Sequence, residues 1–215
     1  MHIYAFGSIC RGDIDADSDV DLLAIVDEQN PRLSPDVFSI YSYRRIKELW
    51  DEGNPFAWHL SRESRMVFAA NEHDYIRSLG NPSRYRNCVR DCEKFRTLFR
   101  QAQQALATVE ANSVFELSIA FLSIRNIATC FSLGIGVKPS FSRRAAFDLG
   151  ERNAPIPEEL YNVLHRSRAL STRGHGMPPR KVEIDFAVRG LPVIENWMSG
   201  LVEIAQQHER VHQSN

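Results

Sequence analysis

The stretch FGSICRGDIDADSDVDLLAIV, residues 6–26, decides the fold and the chemistry of this chain. A Gly-Ser pair follows a short apolar strand, and Asp19 and Asp21 come at the start of a second apolar run. Asp is uncommon inside strands, so two of them here call for an explanation. Because successive side chains of a strand point to opposite faces, Asp19 and Asp21 project from the same side. Two neighbouring carboxylates repel each other unless a cation neutralises them. The pair therefore predicts a bound divalent cation.

The residues before these acids suit an anionic ligand. Mg²⁺ binds carboxylate oxygens and usually completes its shell with substrate phosphates. Gly7 lets the backbone approach a ligand closely, and Ser8 offers a hydroxyl and amides that suit a phosphate. The alternative, an exposed acidic loop, is our interpretation of Asp13, Asp15 and Asp17. For the stretch as a whole we predict a site for a metal-bound nucleoside triphosphate.

The first part of the chain alternates strands with helices. The apolar patterns predict strands at 2–6, 19–26, 36–42 and 65–69. A helix begins at Tyr43 and ends at Gly53, and Asn54-Pro55 opens another.

From Asn81-Pro82 onward the strand patterns stop. Helix-start signals recur at Asn81-Pro82, at Asn112-Ser113 and at 155–157, and the segment 113–134 is apolar on nearly every face. The predicted fold class is α+β: a small mixed β-sheet core at 1–80, an all-α helical bundle at 81–208, and a flexible tail at 209–215.

Composition narrows the classes of partner and compartment. The 215 residues are 43% hydrophobic and 25% charged. The net charge of −1 gives no indication of a nucleic-acid or membrane partner. We found no apolar run of the roughly 18 residues that a membrane span needs, and no signal peptide. The four cysteines lack metal-type spacing and are interpreted as reduced thiols. A cytoplasmic protein is expected.

The spacing of the opening motif resembles a known family. Gly7-Ser8, ten residues, and then Asp19-Val20-Asp21 on a strand resemble the signature of the DNA polymerase β-like nucleotidyltransferase superfamily. The match looks most like the minimal and the aminoglycoside nucleotidyltransferases and covers about residues 1–70. It implies transfer of a nucleoside monophosphate, usually AMP from ATP, to an acceptor hydroxyl with release of pyrophosphate. By this resemblance Gly7 and Ser8 bind the triphosphate, while Asp19 and Asp21 hold Mg²⁺ or Mn²⁺.

The same resemblance implies a third catalytic carboxylate on the next strand. The expected position lies near Val37, and Asp36 is one residue away. A one-residue slip turns a side chain to the other face, although a bulge would bring it back. Asp36 is therefore the candidate third acid, with Glu63 or Glu116 as alternative bases.

Two cationic features have two interpretations each. Arg11 follows the Gly-Ser turn and either binds nucleotide phosphates or forms a surface salt bridge. The basic loop 138–144 either lines a substrate cleft or is simply solvated.

The helical half more weakly resembles HEPN-type domains and the helical domains of aminoglycoside nucleotidyltransferases. HEPN ribonucleases carry an Arg and a His with four to six residues between them, and six residues separate Arg168 from His175. On a continuous helix these two would share a face, with His175 as acid/base and Arg168 on an RNA phosphate. The glycines and prolines around His175 instead predict that the helix ends first.

Three functions follow from these observations. The first is a Mg²⁺-dependent nucleotidyltransferase that uses ATP or another triphosphate and acts on a small molecule, a protein or a tRNA. The second is a non-catalytic nucleotide-binding regulator of the antitoxin type, and the third is the HEPN-type ribonuclease. Homodimers are usual among such relatives, and no membrane partner is expected.

Overall fold

The structure, a computed structural model, describes residues 1–13, 20–27, 33–108 and 112–213, with side chains up to residue 211. It divides into two units, Met1–Arg86 and Asn87–Asn215. Sequence patterns placed this division at residue 80.

Within its described residues, the N-terminal unit contains four strands and four helices. In chain order they are β1 (His2–Phe6), α1 (Ser8–Arg11), β2 (Asp21–Val26), β3 (Phe38–Ser42), α2 (Tyr43–Asp51), α3 (Pro55–Glu63), β4 (Ser64–Ala69) and α4 (Tyr75–Ser78). The short helix α4 was not predicted, and β3 begins two residues later than its alternating pattern suggested. The later start has a local cause, because the N–H groups of Val37 and Phe38 both donate to the Ser34 carbonyl in a turn.

The four strands form one mixed sheet in the order β3-β2-β1-β4. Strand β1 is antiparallel to both β2 and β4, whereas β2 and β3 run parallel. Phe6, the last residue of β1, lies opposite Asp21 on one side and Ser64 on the other. The end of β1 and the starts of β2 and β4 therefore meet at one edge of the sheet, which we call the Gly7 edge.

One face of this sheet carries the core of the unit, because alternate side chains of β1 and β2 project from that face. The buried cluster joins this face to α2, α3 and α4 and comprises Tyr4, Phe6, Leu23, Ile25, Ile46, Leu49, Trp50, Ala57, Leu60 and Ile76. The Tyr4 hydroxyl donates to Asp74 Oδ1 and accepts from the Ile76 N–H, both at 3.0 Å. Burial raises the pKa of Tyr4 far above its ordinary value, so the hydroxyl keeps its proton.

Over residues 88–108 and 112–213, the helical unit contains four long helices and two short 3-10 turns. They are α5 (Cys88–Ala105), α6 (Ser113–Gly134), the turns Ala145–Phe147 and Gly150–Arg152, α7 (Glu158–Arg173) and α8 (Lys181–Gln213). Helix α6 packs against each of the other three helices. The predicted α+β class, a mixed sheet followed by a helical region, is confirmed.

Helix α6 is also the one helix in the described part of the chain that is long and apolar enough to cross a membrane. No uninterrupted apolar run of that length occurs in this helix, because Glu116, Arg125 and Asn126 interrupt it. Within its most apolar window, 61% of the residues are buried inside the protein. Such burial is typical of the core helix of a bundle.

The helix predicted to open at Asn81-Pro82 begins instead at Cys88. Tertiary contacts hold the preceding residues in a non-helical path. The Trp50 and Trp58 indole N–H groups donate to the carbonyls of Gly80 and Ser83 at 3.0 and 3.1 Å. At the other end, α8 continues to Gln213, past the boundary at 208 expected for the bundle.

Candidate nucleotide-binding site

Gly7 and Asp21 lie in contact at the Gly7 edge. Gly7 has φ 77° and ψ −141°, a backbone conformation that is essentially restricted to glycine. A Cβ placed on Gly7 would lie only 2.6 Å from Asp21 Oδ2. Glycine is therefore required twice, once for the turn and once to leave room for the carboxylate.

Ser8 begins α1, a single helical turn that reverses the chain after β1. Gly12 ends this turn in the left-handed conformation, and the Asp13 N–H donates to the Ser8 carbonyl at 3.0 Å. Ser8 is half-buried beside Gly7, where sequence analysis placed the triphosphate.

Asp21 is exposed, although the residues from Leu23 to Val26 that follow it in β2 are buried. Its carboxylate is thus at the rim of the sheet, seated in the space that Gly7 leaves. Carboxylate oxygens in such a seat fit a hard divalent cation such as Mg²⁺. Asp19, the predicted partner ligand, lies outside the described residues. Among the residues the structure describes, no group of three or more His, Cys, Asp or Glu side chains comes together.

Asp36 lies in the exposed turn before β3 rather than on the strand. Its N–H donates to Ser34 Oγ at 3.2 Å, and its carboxylate is 3.5 Å from the same hydroxyl. Leu22 pairs with Phe38 in the parallel ladder, so one further step would place Asp21 beside Val37. Asp36 therefore precedes the position aligned with Asp21 by one residue, the offset noted in the sequence.

Arg11 forms ion pairs with two carboxylates. Its Nε donates to Asp13 Oδ2 at 2.8 Å, and its Nη1 is bound to Glu63 Oε2. Burial tends to lower the pKa of Arg11, but the hydrogen bonds to Asp13 and Glu63 outweigh it and raise that pKa. Of the two interpretations of Arg11, the ion pair is the one seen in this structure.

Glu63 joins Arg11 to His59. His59 Nε2 lies 3.0 Å from Glu63 Oε2, and the His59 ring packs edge-on against Phe6 at 5.6 Å. Burial alone would raise the pKa of Glu63, yet the interactions with His59 and Arg11 lower it below the usual value. A carboxylate held ionised in this way is poorly suited to the role of a general base.

The residues of the ribonuclease alternative do not share a helical face. Arg168 lies on α7 and donates to Ser118 Oγ at 3.4 Å, and burial, with Arg173 nearby, lowers its pKa. Helix α7 ends at Arg173 because Gly174 adopts the left-handed conformation. His175 follows this end and is exposed.

The remaining candidates belong to the helical unit. Glu116 lies in the first turn of α6. In the basic loop, Arg144 binds both carboxylate oxygens of Glu158 at 2.9 and 3.0 Å. The guanidinium also stacks over Phe147 and Tyr161. Arg144 therefore has a structural role inside this unit.

Comparison with known proteins identifies the N-terminal unit. Residues 2–87 match the family model of the nucleotidyltransferase domain. No curated protein sequence matches the chain. A similar solved structure is the spectinomycin adenyltransferase AAD(9) from Enterococcus faecialis with ATP and spectinomycin. It is 12% identical, with 93% of this chain and 91% of that chain covered and a TM-score of 0.44.

The N-terminal unit is therefore a nucleotidyltransferase domain, the domain type of a class of transferase enzymes. The superfamily that Gly7-Ser8 and the following acids predicted is confirmed.

Proposed function

We propose that this protein transfers a nucleoside monophosphate, AMP from ATP, to an acceptor hydroxyl. The observation that supports this best is the seating of the Asp21 carboxylate against Gly7 at the end of β1. It joins the predicted metal ligand to the predicted phosphate-binding turn in the part of the chain that matches the nucleotidyltransferase family.

Each predicted residue has a role in this proposal. Gly7 and Ser8 bind the triphosphate close to the backbone. Arg11 contacts the triphosphate through the part of its guanidinium that is not bound to Asp13 or Glu63. Asp19 and Asp21 would hold Mg²⁺ or Mn²⁺, which supplies charge neutralisation on the phosphates when bound.

The transfer itself is an in-line displacement. The acceptor oxygen forms a bond to the α-phosphorus while the bond from that phosphorus to the bridging α–β oxygen breaks, and pyrophosphate leaves. The hydroxyl proton must go to a base, and Asp36 is our candidate because its carboxylate is exposed and is only loosely hydrogen-bonded to the Ser34 hydroxyl, at 3.5 Å. The protein forms no covalent bond to the substrate in this step, so its main contribution to the rate is to position the reacting groups.

The acceptor is a small molecule, a protein or a tRNA. The net charge of −1 favours the first two, because a tRNA acceptor usually calls for a basic surface. We expect the protein to act in the cytoplasm, as a monomer or a homodimer.

The proposal is tested by following label from α-³²P nucleoside triphosphates into a panel of aminoglycosides, proteins and tRNA, together with pyrophosphate release. Transfer is expected with the wild type and not with Asp21→Asn. The matched control is Asp51→Asn, which removes an exposed carboxylate paired with Lys47 on α2.

Two results would contradict the proposal. Nucleotide binding without pyrophosphate release for any acceptor would favour the regulator. RNA cleavage that survives Asp21→Asn but disappears in His175→Ala would favour the ribonuclease.

A further inference from the structure

Arg11, Glu63 and His59 form a largely buried charged network at the Gly7 edge. Their side chains are 19%, 15% and 13% exposed, respectively. Glu63 immediately precedes Ser64, which lies opposite Phe6 and hence next to Gly7. The network therefore connects the C-terminal end of α3 to the turn formed by Gly7 and α1.

We propose that Glu63 is a positioning residue: it holds Arg11, and through Arg11 the turn from Gly7 to Arg11, ready for the triphosphate. The inference rests on the proposed function, since it assigns Glu63 a part in the same site. Guanidinium is a planar fork of donors, so Asp13 on Nε and Glu63 on Nη1 fix its plane and leave the Nη2 edge for another anion.

Two effects of Glu63 on an incoming triphosphate oppose each other. Its negative charge repels the phosphates, whereas its hold on Arg11 removes the entropic cost of ordering that side chain during binding. The Glu63 charge is already offset by the Arg11 guanidinium that it contacts directly, so the net repulsion felt by the ligand is small. Without Glu63, Asp13 is the remaining ion-pair partner of the guanidinium among the described residues, and at 56% exposure it is a weak partner in water. Positioning therefore outweighs repulsion.

Asp13 provides the matched control. Asp13→Asn removes the same unit of charge from the same guanidinium but leaves the buried anchor in place. If electrostatic repulsion governed the effect, Asp13→Asn and Glu63→Ala would change nucleotide affinity in the same direction. If positioning governs it, Glu63→Ala alone weakens binding.

The test is calorimetric titration of each full-length variant with MgATP. We expect Glu63→Ala to weaken the dissociation constant roughly three- to tenfold, which corresponds to ordering one long side chain. Glu63→Gln, which keeps an acceptor oxygen, is expected to lose less, and Asp13→Asn less than about twofold. Because Glu63 acts through Arg11, adding Glu63→Ala to Arg11→Gln should cost nothing further.

The inference is overturned if both Glu63 variants bind MgATP as tightly as the wild type, or if the losses from Glu63→Ala and Arg11→Gln simply add. Urea unfolding of each variant identifies any loss that comes from misfolding, and Glu63→Gln serves if Glu63→Ala does not fold. Failure of the proposed function looks different: MgATP would then not bind to the wild type, or would bind equally well to Asp21→Asn, and the assignment of Glu63 would fall with it.

Discussion

Replacing Gly7 with alanine tests the contact on which the site is built. The new Cβ would lie 2.6 Å from Asp21 Oδ2, closer than real Cβ contacts, so the carboxylate must move by several tenths of an ångström. The backbone conformation of Gly7 adds a cost of about 1–3 kcal/mol for a residue with a side chain. Gly7→Ala should therefore both destabilise the N-terminal unit and displace the predicted metal ligand.

The loss of nucleotidyl-transfer activity in Gly7→Ala should be larger than partial unfolding of the variant alone would cause. A misplacement on the order of 1 Å can lower an enzymatic rate about a hundredfold, and we expect a loss near that size for nucleotidyl transfer by Gly7→Ala. Gly12→Ala is the control, because Gly12 also has a positive φ, 78°, but a Cβ there would meet no atom within 4 Å. It should cost about 1–2 kcal/mol of stability and leave the position of Asp21 unchanged.

Urea unfolding and pyrophosphate release, measured on both glycine variants, provide the assay. A double variant, Gly7→Ala with Asp21→Ala, should recover part of the stability lost in Gly7→Ala, because the clash disappears with the carboxylate. Fully additive stability losses, or a Gly7→Ala enzyme as active as Gly12→Ala, would refute this reasoning.

Three further substitutions test the packing and the ion pairs. Tyr4→Phe removes the buried hydroxyl that joins β1 to α4 and should cost about 1–3 kcal/mol in urea unfolding. Gly134→Ala would bring a Cβ within 2.2 Å of Cys88 Sγ, and the resulting separation of α5 and α6 should cost about 1–3 kcal/mol by the same measurement. Glu183→Gln should flatten the acid side of the pH–stability profile, because hydrogen bonds from two arginines and a backbone N–H lower the pKa of Glu183 to about 2.

The sign of the last effect follows from linkage. A carboxyl whose pKa is lower in the folded state stabilises the protein above its ordinary pKa and loses that contribution as the pH falls toward about 2. The wild type should therefore lose stability more steeply than Glu183→Gln on acidification, and parallel profiles would contradict this. For Gly134→Ala the control is Gly200→Ala, which meets no atom within 4 Å and should stabilise α8 by about 1 kcal/mol.

Local patterns were sufficient to predict much of the N-terminal unit. Strand β1 was predicted with its observed bounds because a short apolar stretch ends at Gly7, and the Asn54 cap and Pro55 placed the start of α3. Gly7 and Asp21 were assigned to one site from the motif, and the antiparallel pairing of β1 with β2 is what brings them together.

Long-range contacts explain the features of the fold and the site that local sequence patterns did not predict. Asn81-Pro82 is a sound local signal for a helix, yet the Trp50 and Trp58 indoles hold the chain in a non-helical path there. Arg11 and Glu63 are 52 positions apart, so no local sequence pattern predicts that they pair. The one local indication was the spacing of His59 and Glu63, four residues apart on one face of a predicted helix.

The most direct test of the central claim, that the Gly7 edge holds a metal-bound nucleotide, is an electron paramagnetic resonance titration of Mn²⁺ in the presence of ATP. The wild type should take up Mn²⁺ together with ATP, and Asp21→Asn should take up far less while remaining folded. If Asp21→Asn binds Mn²⁺ and ATP as tightly as the wild type, the carboxylate seated against Gly7 is not a metal ligand and the claim is contradicted.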